Sequence, residues 1–128
     1  MTKRIVLIDD DNQTNYLNKF IIEGSKLVNE ILTYSSPLEA LSYLKNRTDE
    51  EKGSLLLLDI NMPIMDGWEF LRHYATQNGN VMVDKVVMLT SSIEQTDHAL
   101  AKQNEFVSDI KVKPLSLRMI NELVKTHL

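Results

Sequence analysis

Three runs of four uninterrupted apolar residues constrain this chain most: Ile5-Val6-Leu7-Ile8, Leu55-Leu56-Leu57-Leu58 and Val86-Val87-Met88-Leu89. A strand with one wet face alternates apolar and polar residues, whereas a strand covered on both faces does not. The three runs therefore predict central strands of a sheet with a layer packed on each side. Two weaker candidates accompany them. Glu30 to Tyr34 mixes polar and apolar residues and reads as an edge strand, and Phe106 to Ile110 is short and broken by Ser108 and Asp109.

Helical patterns fill the gaps between these strands. Tyr16, Leu17, Phe20 and Ile21 predict one apolar helix face, with Gly24 suited to the C-terminal end. Ser36-Pro37 opens a second helix with proline at the first helical position and Leu38, Leu41 and Leu44 on one side. Asp66 and Glu69 have capping-box spacing ahead of Phe70, Leu71 and Tyr74. Ser92 and Gln95 repeat that spacing before a helix from Ile93 to about Gln103, whose apolar face is thin: Ile93, Ala99 and Leu100. Ser116 can cap a last helix carrying Leu117, Ile120, Leu123 and Val124. A strand-helix pair repeated five times implies an α/β fold of parallel strands joined by right-handed crossovers. At 128 residues, with no linker or repeat, one domain is expected. The polar stretches Thr48 to Gly53 and Gln77 to Asn80 read as solvated loops.

Composition removes several classes of function. The net charge of −4 and the scattered Lys and Arg argue against nucleic acid or anionic membrane as a partner. The absence of cysteine rules out disulfides and thiolate zinc sites. No apolar run approaches the ~20 residues of a membrane-spanning helix. The start MTKRIVLIDD lacks the pattern of a signal peptide, so a cytoplasmic location is expected.

In an open parallel sheet, ligands bind beyond the carboxyl ends of the strands. Asp9, Asp10 and Asp11 follow the first strand, and Asp59, Ile60 and Asn61 follow the third. Thr90, Ser91 and Ser92 follow the fourth, and Lys111, Lys113 and Pro114 the fifth. Each has an ordinary reading alone: a helix cap, a solvated carboxylate, a capping loop, a surface lysine. Together they bring carboxylates, hydroxyls and an ammonium to one edge of one sheet. Two carboxylates ~4 Å apart repel by about 4 kcal/mol at an effective dielectric of 20. Such a cluster recruits a cation or keeps a proton. An all-oxygen donor set suits Mg²⁺, with Mn²⁺ or Ca²⁺ as substitutes. A metal, an ammonium and a hydroxyl around one carboxylate suit phosphoryl transfer to that carboxylate.

The segments LIDDD, DINMPIMDG, MLTSS and KVKPL, in this order and spacing, closely resemble a response-regulator receiver domain of bacterial two-component signalling. The resemblance is to single-domain, chemotaxis-regulator-like members and covers residues 1–128, with no output domain expected. It implies a flavodoxin-like (βα)5 fold with strand order 2-1-3-4-5 and helices on both faces. It implies that Asp59 accepts a phosphoryl group from a sensor histidine kinase or a histidine phosphotransfer protein. Asp10, Asp59 and the backbone carbonyl of Asn61 would ligate Mg²⁺, and Asp9 would help hold it, largely through water. Thr90 would hydrogen-bond the phosphoryl group, Lys113 would pair with one of its oxygens, and a cis bond to Pro114 would follow. Asn61 and Ser92 fall at positions that tune autodephosphorylation. Asp11 is read as a helix cap.

The family has Tyr or Phe three residues before the lysine, where this chain has Ile110. With no output domain expected, output is expected to rest on protein binding, through a face made by the fourth helix, the fifth strand and the fifth helix. No enzymatic activity is expected beyond Mg²⁺-dependent self-phosphorylation and slow autodephosphorylation. Three rival readings remain. An aspartyl-nucleophile phosphatase would need a proton-transferring group where Asn61 stands. A flavin-binding module would have Asp9 to Asp11 repelling its phosphate. A degenerate receiver would bind partners without phosphorylation.

Overall fold

The computed structural model describes residues 2–128. Five parallel strands, β1 (Arg4–Ile8), β2 (Glu30–Tyr34), β3 (Leu55–Asp59), β4 (Lys85–Thr90) and β5 (Val107–Val112), form one sheet. Its order is β2-β1-β3-β4-β5, with the three apolar tetrads at the centre and the two mixed strands at the edges. The helices are α1 (Asn12–Ser25), α2 (Pro37–Asn46), α3 (Gly67–Gln77), α4 (Gln95–Gln103) and α5 (Leu117–His127). Asp49–Glu51 forms a single 3₁₀ turn in an otherwise exposed loop.

Alternate side chains of a strand face opposite sides of a sheet, and the two cores follow that alternation. Val6, Ile8, Leu56, Leu58, Val86 and Met88 pack with Ala40, Leu41 and Leu44 of α2, Phe70, Leu71 and Tyr74 of α3, and Phe106. Ile5, Leu7, Leu55, Leu57, Val87 and Leu89 pack with Ile22 of α1 and Ile120, Leu123 and Val124 of α5. Three caps form as the sequence predicts. Ser36, Asp66 and Ser116 accept from the backbone N–H groups of Glu39, Glu69 and Met119.

Five expectations need correction. Of the four residues expected on the apolar face of α1, only Ile21 packs against the core. Tyr16, Leu17 and Phe20 are 71%, 59% and 70% exposed, whereas Asn15, Asn18 and Ile22 are buried. The 3.6-residue period was legible, but the inward stripe sets Asn15 and Asn18 beside Ile21 and Ile22, and the Asn15 Nδ2 bonds to backbone carbonyls rather than making apolar contact. At the end of α1, Gly24 stays within the helix, and Lys26 takes the left-handed capping conformation (φ 59°), its N–H bonded to Glu23 O. In α2, Leu38 is exposed, while Pro37 and Ala40 join Leu41 and Leu44 inside.

The start of α4 also differs. Glu94, not Ser92, is the cap, in a reciprocal pair with Asp97. Ser92 is withheld from the helix because its backbone N–H and carbonyl both engage the Thr90 hydroxyl. β5 starts one residue later than expected and runs on to Val112, because pairing with β4 continues to Thr90↔Val112. Its register skips Ser108, as Val86 pairs with Val107 and Val87 with Asp109. The thin face of α4 remains thin: none of its residues is buried.

Candidate functional site

Each strand delivers its polar end to the same edge. β1 releases the chain at Asp9 and Asp10, β3 ends on Asp59, and β4 ends on the fully buried Thr90. The loop after β5 carries Lys113, whose N–H bonds to Thr90 O at 2.7 Å and whose bond to Pro114 is cis. Asp9 and Asp59 are buried and Asp10 is exposed. One carboxylate oxygen from each of the three lies within 4.8 Å of the others. Lys113 Nζ bridges the two buried acids, 2.6 Å from Asp9 Oδ2 and 3.2 Å from Asp59 Oδ1. The Asn61 N–H donates to Asp59 Oδ1 (3.3 Å), and the Asp11 N–H donates to Asp9 Oδ1 (2.9 Å). Asp11 itself accepts from the N–H groups of Gln13 and Thr14, so it caps α1.

The charges oppose one another. Burial, and then repulsion from Asp9, push the proton affinity of Asp59 up; Lys113 and the Asn61 N–H pull it back only in part. For Lys113, burial disfavours the ammonium, but its bond to Asp9 and the charge of Asp59 outweigh that and hold it above the ordinary lysine range. One ammonium thus serves a three-carboxylate site, with excess negative charge left over. The donors are all hard oxygens, with no His or Cys among them, and this chemistry fits Mg²⁺ or a similar hard divalent cation.

The loop after β3 is folded tightly beneath Asp59. The Gly67 N–H bonds to Ile60 O (2.7 Å), and Ile60 N–H bonds to Leu89 O (2.9 Å). A Cβ on Gly67 would lie 2.8 Å from Asp59 O and 2.8 Å from Met88 Cε, so only glycine permits this approach. Asn61 is exposed, and its Nδ2 reaches Thr90 Oγ1 at 3.5 Å. Ser92 is exposed and meets Thr90 through its backbone. Ile110 is half-buried, pairs in register with Met88 and packs on the α2–α3 side of the sheet.

Sequence reasoning missed two groups of residues. Asn15 lies under the acidic loop, its Nδ2 donating to Asp9 O (2.9 Å) and Tyr34 O (3.2 Å). At the opposite edge of the sheet, Asp84 is buried against Arg47. It also accepts from the Tyr74 hydroxyl and from the N–H groups of Gly53 and Ser54. Nothing local in the sequence marks that pair, because its members are separated by 37 positions. Breaking such a pair costs about 3–5 kcal/mol, so it is structural support remote from the reactive edge.

Comparison with known proteins agrees with this geometry. The family model for the response regulator receiver domain matches residues 5–125. The response regulator receiver protein CpdR of Brucella abortus is 34% identical over 126 residues, covering 96% of this chain and 95% of CpdR. The alkaline phosphatase synthesis transcriptional regulatory protein PhoP of Bacillus subtilis is 30% identical over 128 residues. That match covers all of this chain and 49% of PhoP, so the chain spans about half the length of that relative. Among solved structures, a two-component response regulator from Cytophaga hutchinsonii aligns with a TM-score of 0.80 at 30% identity, covering 98% of this chain and 96% of that one. A response regulator receiver protein from Dyadobacter fermentans shares the fold with a TM-score of 0.86 at 23% identity, covering 98% and 97%. With its five-stranded β2-β1-β3-β4-β5 sheet and the matched residues 5–125, the chain belongs to the response regulator receiver domain family of two-component signalling.

Proposed function

We propose that the chain is a working phosphoacceptor, taking a phosphoryl group onto Asp59 from a phosphohistidine of a sensor kinase or histidine phosphotransfer protein. The observation that carries this reading is the placement of Asp59. It is a buried carboxylate 3.2 Å from an ammonium and within 4.8 Å of two further acids. In the transfer, an Asp59 carboxylate oxygen forms a bond to phosphorus. The bond from phosphorus to the histidine nitrogen breaks, and its electron pair stays on the imidazole. Lys113 pairs with a phosphoryl oxygen, and its long-range partner Asp9 holds it over Asp59. Thr90 offers its hydroxyl, which must leave the Ser92 carbonyl to reach the phosphoryl group. Asp9, Asp10, Asp59 and the carbonyl of Asn61 would hold Mg²⁺. When bound, the cation neutralises charge on the acids and on the transferred group, which asks of the protein mainly positioning. Asn61 and Ser92 flank the acyl phosphate and set how readily water reaches it.

The donor must approach over the same edge. Tyr16, Leu17 and Phe20, on the first turns of α1, are the exposed apolar ground beside the acidic loop. A donor surface packed there would bring its histidine to Asp59. Output by protein contact is assigned to α4, β5 and α5.

Incubation with Mg²⁺ and a small phosphodonor tests the chemistry. The protein should gain the mass of one phosphoryl group, and the gain should disappear in EDTA and in Asp59→Asn. A wild-type protein that gains no mass would overturn the reading.

A further inference from the structure

Asn15 is an unexpected residue to bury. It lies in the first turn of α1 with its side chain closed off from solvent, and its Oδ1 is buried without a hydrogen-bond donor among the described residues. An unpaired buried acceptor is unfavourable, and an apolar residue of similar size would avoid it. What an apolar residue cannot supply is the pair of donors on Nδ2. One bonds to Asp9 O at 2.9 Å and the other to Tyr34 O at 3.2 Å. The reverse amide orientation would set Oδ1 against two carbonyl oxygens, so the assignment is settled by chemistry.

Those two carbonyls matter because of where they sit. Tyr34 is the last residue of β2, and its carbonyl also accepts the Asp9 N–H at 3.1 Å. Asp9 begins the acidic loop, and its carboxylate takes the Asp11 N–H and the Lys113 ammonium. One amide therefore ties the end of β2, the start of the acidic loop and the first turn of α1 into a single unit. It touches none of the carboxylates themselves.

We propose that Asn15 is a positioning residue for the cation site. It holds the backbone at Asp9 so that the Asp9 and Asp10 carboxylates stay converged on Asp59 against their mutual repulsion. The inference rests on the reading of that site as a Mg²⁺ site. Groups that orient metal ligands from behind typically change metal affinity 10–100-fold when lost. Acting here through one backbone carbonyl, Asn15 belongs at the low end. Replacing Asn15 with leucine exchanges one unpaired acceptor, Oδ1, for another, Asp9 O. It should therefore alter stability little while loosening the loop.

The test compares wild type, Asn15→Leu and Asn15→Ala, with Tyr74→Phe as a variant weakened at the opposite edge of the sheet. Calorimetric Mg²⁺ titration should show affinity about tenfold weaker for both Asn15 variants and unchanged for Tyr74→Phe. Hydrogen exchange in EDTA should be faster at the Asp9 and Asp11 amides of the Asn15 variants only. Wild-type Mg²⁺ affinity in both Asn15 variants would overturn the assignment. So would an equal loss in Tyr74→Phe, which would make the effect one of general loosening. If the wild type itself bound no Mg²⁺, the cation site and this role for Asn15 would fall together, whereas binding unchanged by Asn15 removes only the latter.

Discussion

At the residue scale, the site depends on one side chain in conflict with its surroundings and one missing side chain. Asp59 is the one in conflict, since Lys113 offsets only part of the effect of burial and Asp9. Because burial and Asp9 raise the proton affinity of Asp59, the folded protein binds that proton more readily than the unfolded chain does. Stability therefore falls as pH rises from the ordinary carboxylate value through the raised value of Asp59, and stays lower above it. Asp59→Asn in EDTA should accordingly have a higher Tm than wild type at pH 7. The difference should shrink on acidification below the ordinary carboxylate pKa. Thermal melts across pH check both, and equal Tm values at pH 7 would contradict the charge conflict. The missing side chain is at Gly67. Gly67→Ala places a Cβ 2.8 Å from the immobile Asp59 carbonyl, so a loss of about 1–3 kcal/mol is expected in denaturant titrations. Labelling of Asp59 should slow as well, since that carbonyl belongs to the proposed acceptor itself.

At the element scale, α4 is the weakly held part. It buries no residue, and its first turn is tied to α3 by one hydrogen bond, from the Trp68 indole to Asp97 (3.3 Å). Trp68 is the only tryptophan in the chain. The residues leading into α4 are held in turn by the Thr90 hydroxyl through Ser92. Segments with few buried contacts open at low free energy. Asp97→Ala removes this bond and the bond that Asp97 accepts from the Glu94 N–H at the helix cap, so it should speed amide exchange across α4 by about 10- to 100-fold, consistent with the net worth of two hydrogen bonds. It should also shift Trp68 emission, with β1 and β3 exchange unchanged. Uniform exchange rates across the five helices of the wild type would refute this picture of α4.

At the scale of the whole molecule, the reactive edge and the exposed face of α1 lie side by side. The buried Arg47–Asp84 pair supports the opposite end of the sheet. If the proposed donor docks on that face, docking and chemistry are carried by separate residues. Tyr16→Ala combined with Phe20→Ala should leave labelling by a small phosphodonor within about twofold of wild type. Transfer from a phosphohistidine protein should be slowed about tenfold or more, since a few anchors, often aromatic, carry most of the energy of an interface at about 2 kcal/mol or more each. Parallel slowing with both donors would place these residues in the folding of the site instead.

Much of this was legible in the chain. The three apolar tetrads named the central strands, because a strand covered on both faces has no polar face to show. The strand-end acids, Thr90 and Lys113 were placed on one edge by parallel topology alone, since every parallel strand ends on the same side. What the chain did not show were choices made by packing. Periodicity reveals that a helix has a stripe, but not whether that stripe is the one turned inward. In α1 the inward stripe contains Asn15 and Asn18, and the apolar one faces solvent. Ser92 looked like a cap until the Thr90 hydroxyl took up its backbone. Arg47 and Asp84, and Asn15 with Tyr34, meet across 37 and 19 positions. Local residue types carry burial and turn chemistry, whereas contacts of that reach exist only once the layers have closed.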